Sequence, residues 1–347
     1  MNHYQKPPEL YDGLRLHQNE NTGGCSPRVI EALARLRADQ IGFYPPYAAA
    51  SDACARHLGV AVDRLALTNG LDEGIMALSV AYLRPAGGGP VPEAIVPEPA
   101  FEIYRVDTAV AGGRLVPVPP QPDFRFALDD VIAAITPATR VVFLTNPNNP
   151  TGVSMPLDAV RTIARRVPPE AVVFLDEAYA EFAGRTFVPD LHAFPNVIVG
   201  RTFSKAYGLA GLRIGCLVGA PAALEPIRWA LPVYSVNIAA VAAVQAALED
   251  RAHLEGYLRQ VAESKALLYA ACERLALTYW KSDANFVLVC AGARTSALVN
   301  GAAERGVYIR DRSSEPGCDG CIRIGAGIVE HTRRCIEVIE EVLCAAR

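Results

Sequence analysis

From residue 114 to residue 201 the chain alternates between strand-like and helix-like stretches, and this constrains its fold more than any other feature. Apolar runs at 114–118, 140–145, 171–175 and 196–201 read as strands, with helices predicted over 127–135 and 156–166. A parallel return needs a crossover long enough to hold a helix, so the alternation implies an α/β fold with a mainly parallel sheet covered by helices on both faces. Ligands of such sheets sit beyond the carboxyl ends of the strands. Three residues stand there: Asn149 follows the strand ending at Thr145, Asp176 the strand ending at Leu175, and Lys205 the strand ending near Arg201.

Lys205 stands out because lysine is otherwise scarce. The chain has Lys6, Lys205, Lys265 and Lys281, and the rest of its 33 basic residues are arginine. The apolar run 197–200 leads to Lys205, and small or apolar residues follow it. A guanidinium stays protonated, whereas a partly buried amine can lose its proton and condense with an aldehyde. Ser204 is adjacent and Arg213 lies eight residues on, so a hydroxyl and a planar fork flank the amine in a way that suits a phosphate. A second phosphate place is the segment 68–74, where a strand over 65–67 meets a Gly turn before an apolar helix over 75–83, exposing backbone N–H groups at the positive end of a helix dipole.

The remaining elements suggest two units. Ser26-Pro27 reads as the cap of a helix running to about Asp39, and a helix over 49–58 follows a rigid Phe43-Tyr-Pro-Pro-Tyr47 segment. A strand at 94–96 and a helix at 101–111 come next. Beyond a short helix after Ala220-Pro221, an Ala-rich helical run from about 238 to 275 is expected to break near Gly256. The carboxyl-terminal part reads as compact α+β, with strands at 285–290, 307–310 and 321–325 and helices at 295–305 and 329–345. The division expected is a large cofactor-binding domain, 40–250, and a small domain made of 1–39 and 251–347, the former including an extended arm at 14–22.

At 347 residues and net charge −4, with both signs scattered, the chain has no basic stretch to track a nucleic acid. No stretch has the apolar length of a membrane span, and residues 1–8 lack the apolar core of a leader, so a soluble, cytoplasmic protein is expected. The nine cysteines are odd in number and scattered, as expected of reduced thiols packed as small apolar residues. Cys318-Asp-Gly-Cys321 is a single CxxC without a second pair or a nearby histidine, and the six histidines do not cluster; no metal site is expected.

Ser204-Lys-x-x-Gly-Leu-Ala-Gly-Leu-Arg-x-Gly215 resembles the lysine segment of pyridoxal-phosphate enzymes of the aspartate-aminotransferase fold, and is most similar to the histidinol-phosphate aminotransferase branch. The resemblance extends from Leu16-His-Gln-Asn-Glu20 through Tyr234-Ser-Val-Asn237 and Ala284-Asn-Phe286 to the last helix. It implies pyridoxal 5′-phosphate bound at Lys205, with the Asp176 carboxylate keeping the ring nitrogen protonated. Tyr179 and Asn149 would reach the ring hydroxyl, the latter by carry-over from the family. The implied phosphate cup is the backbone of Leu71, Asp72 and Glu73 with the side chains of Thr202, Ser204 and Arg213. Phe101 falls where the family stacks an aromatic on the ring, though a core phenylalanine is an equal reading of it.

Tyr44 matches a tyrosine that reaches the cofactor phosphate of a neighbouring subunit, which implies a homodimer with shared sites. Arg323 matches the family's carboxylate-binding arginine and Arg310 a second anion-binding arginine of the branch, each with a strand-edge ion pair as the structural alternative. The arm departs from the branch at Asn21-Thr22-Gly23, where an aromatic or proline often lines the substrate pocket; Asn21 is the candidate there. The implied reaction converts histidinol phosphate and 2-oxoglutarate into imidazole-acetol phosphate and glutamate. Alternatives are transfer from another amino acid, aromatic or specialised, and decarboxylation as in threonine-phosphate decarboxylase. A non-catalytic binding protein on this fold would not need Lys205, Asp176 and Arg213 together.

Overall fold

The computed structural model describes residues 12–345. The stretch 1–8, read above for a leader, lies outside the described residues. Seven strands form the main sheet, in the spatial order Leu65–Thr68, Gly215–Val218, Val197–Thr202, Val172–Asp176, Thr139–Thr145, Glu93–Pro97 and Arg114–Val118. The last five run parallel to one another. Alternate residues of its central strands enter opposite layers. Val142 and Leu144 join Val160 and Val244 on one face, while Val141 and Phe143 join Ile75, Leu78 and Leu224 on the other. Both faces of the sheet are therefore covered, as the near-continuous apolar runs require.

Gly215–Val218 was not foreseen as a strand, and it runs antiparallel to both of its neighbours. The connection from Thr202 contains no crossover helix, only the short turn Ala210–Leu212, so the chain re-enters the sheet reversed. The register sets Thr145 beside Asp176 and Asp176 beside Gly200, which brings the carboxyl ends of three strands level.

A second sheet of four antiparallel strands has the order Arg310–Asp311, Cys321–Gly325, Phe286–Cys290, Thr278–Tyr279. Its core includes Val261, Leu268, Leu298 and Ile339 from the helices Arg251–Arg274, Thr295–Glu304 and Val329–Ala345. The arm joins this part: Leu14–Arg15 pairs in parallel with Val307–Tyr308, and the Gly325 N–H donates to the Leu16 carbonyl at 2.8 Å. Cys290 and Cys321 face one another across this sheet, and Cys318 packs with Cys321, Leu288 and Phe124 in a small apolar cluster.

Two helix boundaries differ from expectation. The helix after Ser26 ends at Ala34, and a separate helix spans Ala38–Gly42. The Ala-rich run breaks at Asp250 rather than Gly256, giving Ile238–Glu249 and Arg251–Arg274. The Asp250 carboxylate accepts from the His253 N–H at 3.2 Å and from Ser26 Oγ at 2.5 Å, so it caps the second helix. Gly256 stays inside that helix, at a propensity cost of only about 1 kcal/mol. The helix Pro27–Ala34, which the sequence division places with the small unit, sets Val29 in the apolar layer that also holds Ala240 and Val244.

Among the described residues no helix is long and apolar enough to cross a membrane. Nor does any group of three or more His, Cys, Asp or Glu among them stand where it could hold a metal ion.

Candidate active site

Beyond the level strand ends lies a cavity of about 640 Å³. The arm and the strand Cys321–Gly325 close it from the second unit, because its wall includes His17, Gln18, Asn19, Glu20 and Arg323. Lys205 enters from the loop after Val197–Thr202, and its Nζ donates to the Gln18 carbonyl at 2.9 Å. Burial, with Arg323 as the next contributor, lowers the amine to a pKa of about 8. Roughly a tenth of it is thus free base at pH 7, against less than a thousandth for an ordinary lysine.

Asp176 ends the fully buried strand Val172–Asp176. Its Oδ2 accepts from the Tyr104 hydroxyl at 2.7 Å and its Oδ1 from the Ala178 N–H at 2.9 Å. Both donors are neutral, and burial raises the carboxyl to a pKa of about 6. A carboxylate so placed suits a cation brought in by a ligand. Beside it the Tyr179 hydroxyl accepts from Asn19 Nδ2 at 2.9 Å. Asn149 Oδ1 accepts from Arg323 Nη1, while Arg323 Nη2 donates to the His17 carbonyl at 2.7 Å.

Another part of the wall is built by a helix start and the lysine loop. The helix Gly70–Leu83 begins at a left-handed glycine, φ 75°, and a Cβ at that position would run into the Arg213 guanidinium. Leu71 and Asp72 of its first turn line the cavity with Thr202, Ser204 and Arg213. Arg213 Nη2 lies 3.0 Å from Asp72 Oδ2, both side chains being about half exposed, so the pair is weak and easily exchanged for a bound anion. Glu73 is not in the wall: its carboxylate turns back to accept from the Asn69 N–H at 2.6 Å and Ser235 Oγ at 2.9 Å.

Phe101 and Arg310 line the cavity as well. Tyr44 does not; it stacks on Tyr234, with ring centroids 4.2 Å apart, and is 75% exposed. Asn21 also stands outside the wall, its Nδ2 donating to the Ala206 carbonyl at 3.0 Å and its Oδ1 accepting from the Gly23 N–H at 2.9 Å. It fastens the arm to the lysine loop. The structure adds Tyr104, Asn19, His17 and Arg312 to the residues named from sequence. His17 lines the cavity with its pKa lowered to about 4, by burial first and then by Arg310, Arg15 and Arg323, so it is neutral at pH 7. The signal for Asn19 was conformational: it adopts φ 57°, which the sequence does not display.

This fold sets a lysine amine, a buried carboxylate and a set of arginines around one cavity. The chain belongs to the aminotransferase class I and II family, whose model matches residues 11–339. Two relatives called histidinol-phosphate aminotransferase are similar over nearly the whole chain. That of Symbiobacterium thermophilum is 37% identical over 98% of this chain and 93% of its own length, and the second enzyme of that name from Ralstonia nicotianae is 38% identical over 96% and 89%. The solved structure of histidinol-phosphate aminotransferase from Sinorhizobium meliloti, in complex with pyridoxal-5′-phosphate, superimposes with a TM-score of 0.87 at 28% identity, covering 97% of this chain and 92% of that one. The protein is a transaminase.

Proposed function

We propose that this transaminase moves the amino group of histidinol phosphate to 2-oxoglutarate, with pyridoxal phosphate bound at Lys205. The observation that carries the reading is that Arg310 and Arg323 line the same cavity as the Lys205 amine, a charge arrangement suited to a donor bearing a phosphate. The names of the relatives point the same way.

The residues fit the cofactor. Arg213, Ser204, Thr202 and the first N–H groups of Gly70–Leu83 would hold its phosphate, Asp176 its ring nitrogen, and Tyr179 and Asn149 its phenolic oxygen, with Phe101 against the ring. When bound, pyridoxal phosphate supplies an electron sink for the pair left at the donor Cα. The protein's part is proton movement and placement. Lys205 Nζ, poised by its lowered pKa, takes the proton from the donor Cα. The Asp176 carboxylate, held by Tyr104 and Ala178, keeps a positive charge opposite it. Arg323, fixed by Asn149 and the His17 carbonyl, orients the donor's anionic group.

The experiment is a panel of amino donors against 2-oxoglutarate, run with Arg310→Ala and Arg323→Ala. Removing one charge-assisted partner from an enclosed anion costs a few kcal/mol, so Arg310→Ala should raise the Michaelis constant for histidinol phosphate roughly 100-fold. A donor with only a carboxylate should depend on Arg323 and ignore Arg310. A phosphate donor indifferent to Arg310 would overturn this substrate assignment and leave a general transaminase.

The partner we propose is a second copy of the chain. Phe43, Tyr44, Val233 and Tyr234 are all more than half exposed, and Tyr44 and Tyr234 are stacked together. Large exposed side chains, two of them stacked, favour a covered face, and a dimer through it would deliver Tyr44 to the neighbouring cavity. Sedimentation should show a dimer for the parent and dissociation, with weakened cofactor retention, for Phe43→Glu. A monomeric, fully active parent would exclude the shared site.

A further inference from the structure

An ion pair in the cavity wall takes no part in the roles above. Arg312 follows the strand Arg310–Asp311 and lines the same cavity as Arg310 and Arg323, yet it is only 6% exposed. Its Nη2 lies 2.9 Å from Glu315 Oε1, and that carboxylate is enclosed to the same degree. Arg312 Nε has no hydrogen-bond partner. That N–H is enclosed as well as unpartnered, so it faces protein and not the cavity.

Stability does not account for this arrangement. A buried ion pair contributes little net stability over apolar residues of similar size, and an unpartnered buried N–H costs more. The turn does not need the pair either, because the Glu315 N–H donates to the Arg312 carbonyl at 2.9 Å and the Arg312 N–H to the Cys321 carbonyl at 2.9 Å. The surroundings point to balance of charge. Burial raises the Glu315 carboxyl above its ordinary pKa; Arg312 opposes that rise, and Glu102, a carboxylate in the cavity wall, adds to it.

We propose that Arg312 is a third anion-binding fork of the substrate cavity, restrained by Glu315, and that the pair sets the preference for substrates whose distal group is a phosphate or a second carboxylate over those with a single negative charge. A distal oxyanion meets the charge of a guanidinium already in the wall, while Glu315 prevents a surplus of positive charge from gripping every carboxylate alike. The identity of the substrates rests on the transamination reading; the anion binding does not.

The test is calorimetric binding of three probes to the cofactor-loaded full chain: glutarate, inorganic phosphate and butyrate. Arg312→Met with Glu315→Leu removes both charges and leaves no orphan. Glutarate and phosphate should then bind roughly tenfold more weakly, with butyrate changed less than twofold. Glu315→Gln should tighten glutarate several-fold when Arg312 is present and have no effect in an Arg312→Met background. Equal changes for all three probes, or unchanged glutarate binding in the double variant, would overturn the proposal. Should the double variant fail to fold, Glu315→Gln decides, and unaltered glutarate affinity in that folded variant overturns it. Arg312-dependent glutarate binding in a protein that transfers no amino group from any donor would remove the transamination reading alone. Transfer activity with probes indifferent to Arg312 would remove this proposal alone.

Discussion

Lys205→Ala leaves a protein that folds and, compared free of cofactor, melts no lower than its parent but turns over roughly 10⁴-fold more slowly. The loss follows from position, since Lys205 is the lysine of the cavity wall and Lys265 is engaged with the Ser282 carbonyl at 2.7 Å. Stability is spared because of the sign of the pKa shift. The folded state holds the amine at about 8, below the usual 10.5, so its protonated form is a penalty on folding. That penalty is present in full below pH 8 and fades as pH rises through 10.5, where the unfolded chain also loses its proton. Alanine removes the penalty at neutral pH, along with one hydrogen bond to the Gln18 carbonyl. Lys205→Arg should be equally inactive, because a guanidinium does not give up its proton. Steady-state rates paired with thermal melts check this, and an alanine variant retaining most of its turnover refutes the role given to Lys205.

What could be read from sequence follows from where the determinants lie. The parallel sheet was legible because its central strands are buried on both faces, as Val141 to Leu144 are, and such runs are conspicuous. Asp176 was legible because a charge that ends an apolar strand is costly unless used, and Asn149 and Lys205 because they follow strand ends, where ligands of such sheets sit. Gly215–Val218 was missed because a four-residue strand directly after a glycine-rich loop has no pattern of its own. The break at Asp250 was misplaced because glycine is the louder signal, although here a capping carboxylate decides. The contacts of Tyr104 and Asn19 were invisible for a different reason. Their partners, Asp176 and Tyr179, are 72 and 160 residues away, and a polar side chain inside a helix or an arm does not announce a contact made by tertiary folding. Arg312 was one of many arginines until its burial in the cavity wall beside Glu315 set it apart.

Asp176→Asn should separate catalysis from stability in opposite directions. The carboxyl is raised from 3.8 to about 6 by burial, so its ionised form is disfavoured in the folded chain. Stability tied to this group is fully present below pH 3.8 and is lost as pH rises through about 6; at pH 8 the cofactor-free protein carries the whole penalty, on the order of 2–3 kcal/mol. An amide has nothing to ionise. Its oxygen still accepts from the Ala178 N–H, and its NH₂ can donate to the Tyr104 oxygen, whose own proton can turn to Thr145 Oγ1 at 2.8 Å. The cofactor-free variant should therefore melt higher than the parent at pH 8 and at the same temperature near pH 4. Turnover should fall by roughly 10²–10³-fold, since a neutral amide cannot keep a positive charge opposite it while charge develops at the donor Cα. Melting curves at the two pH values, set beside initial rates at pH 8, give the comparison. A variant that melts lower at pH 8, or one that keeps its rate with cofactor bound, would show that the buried carboxylate serves the fold instead of the reaction.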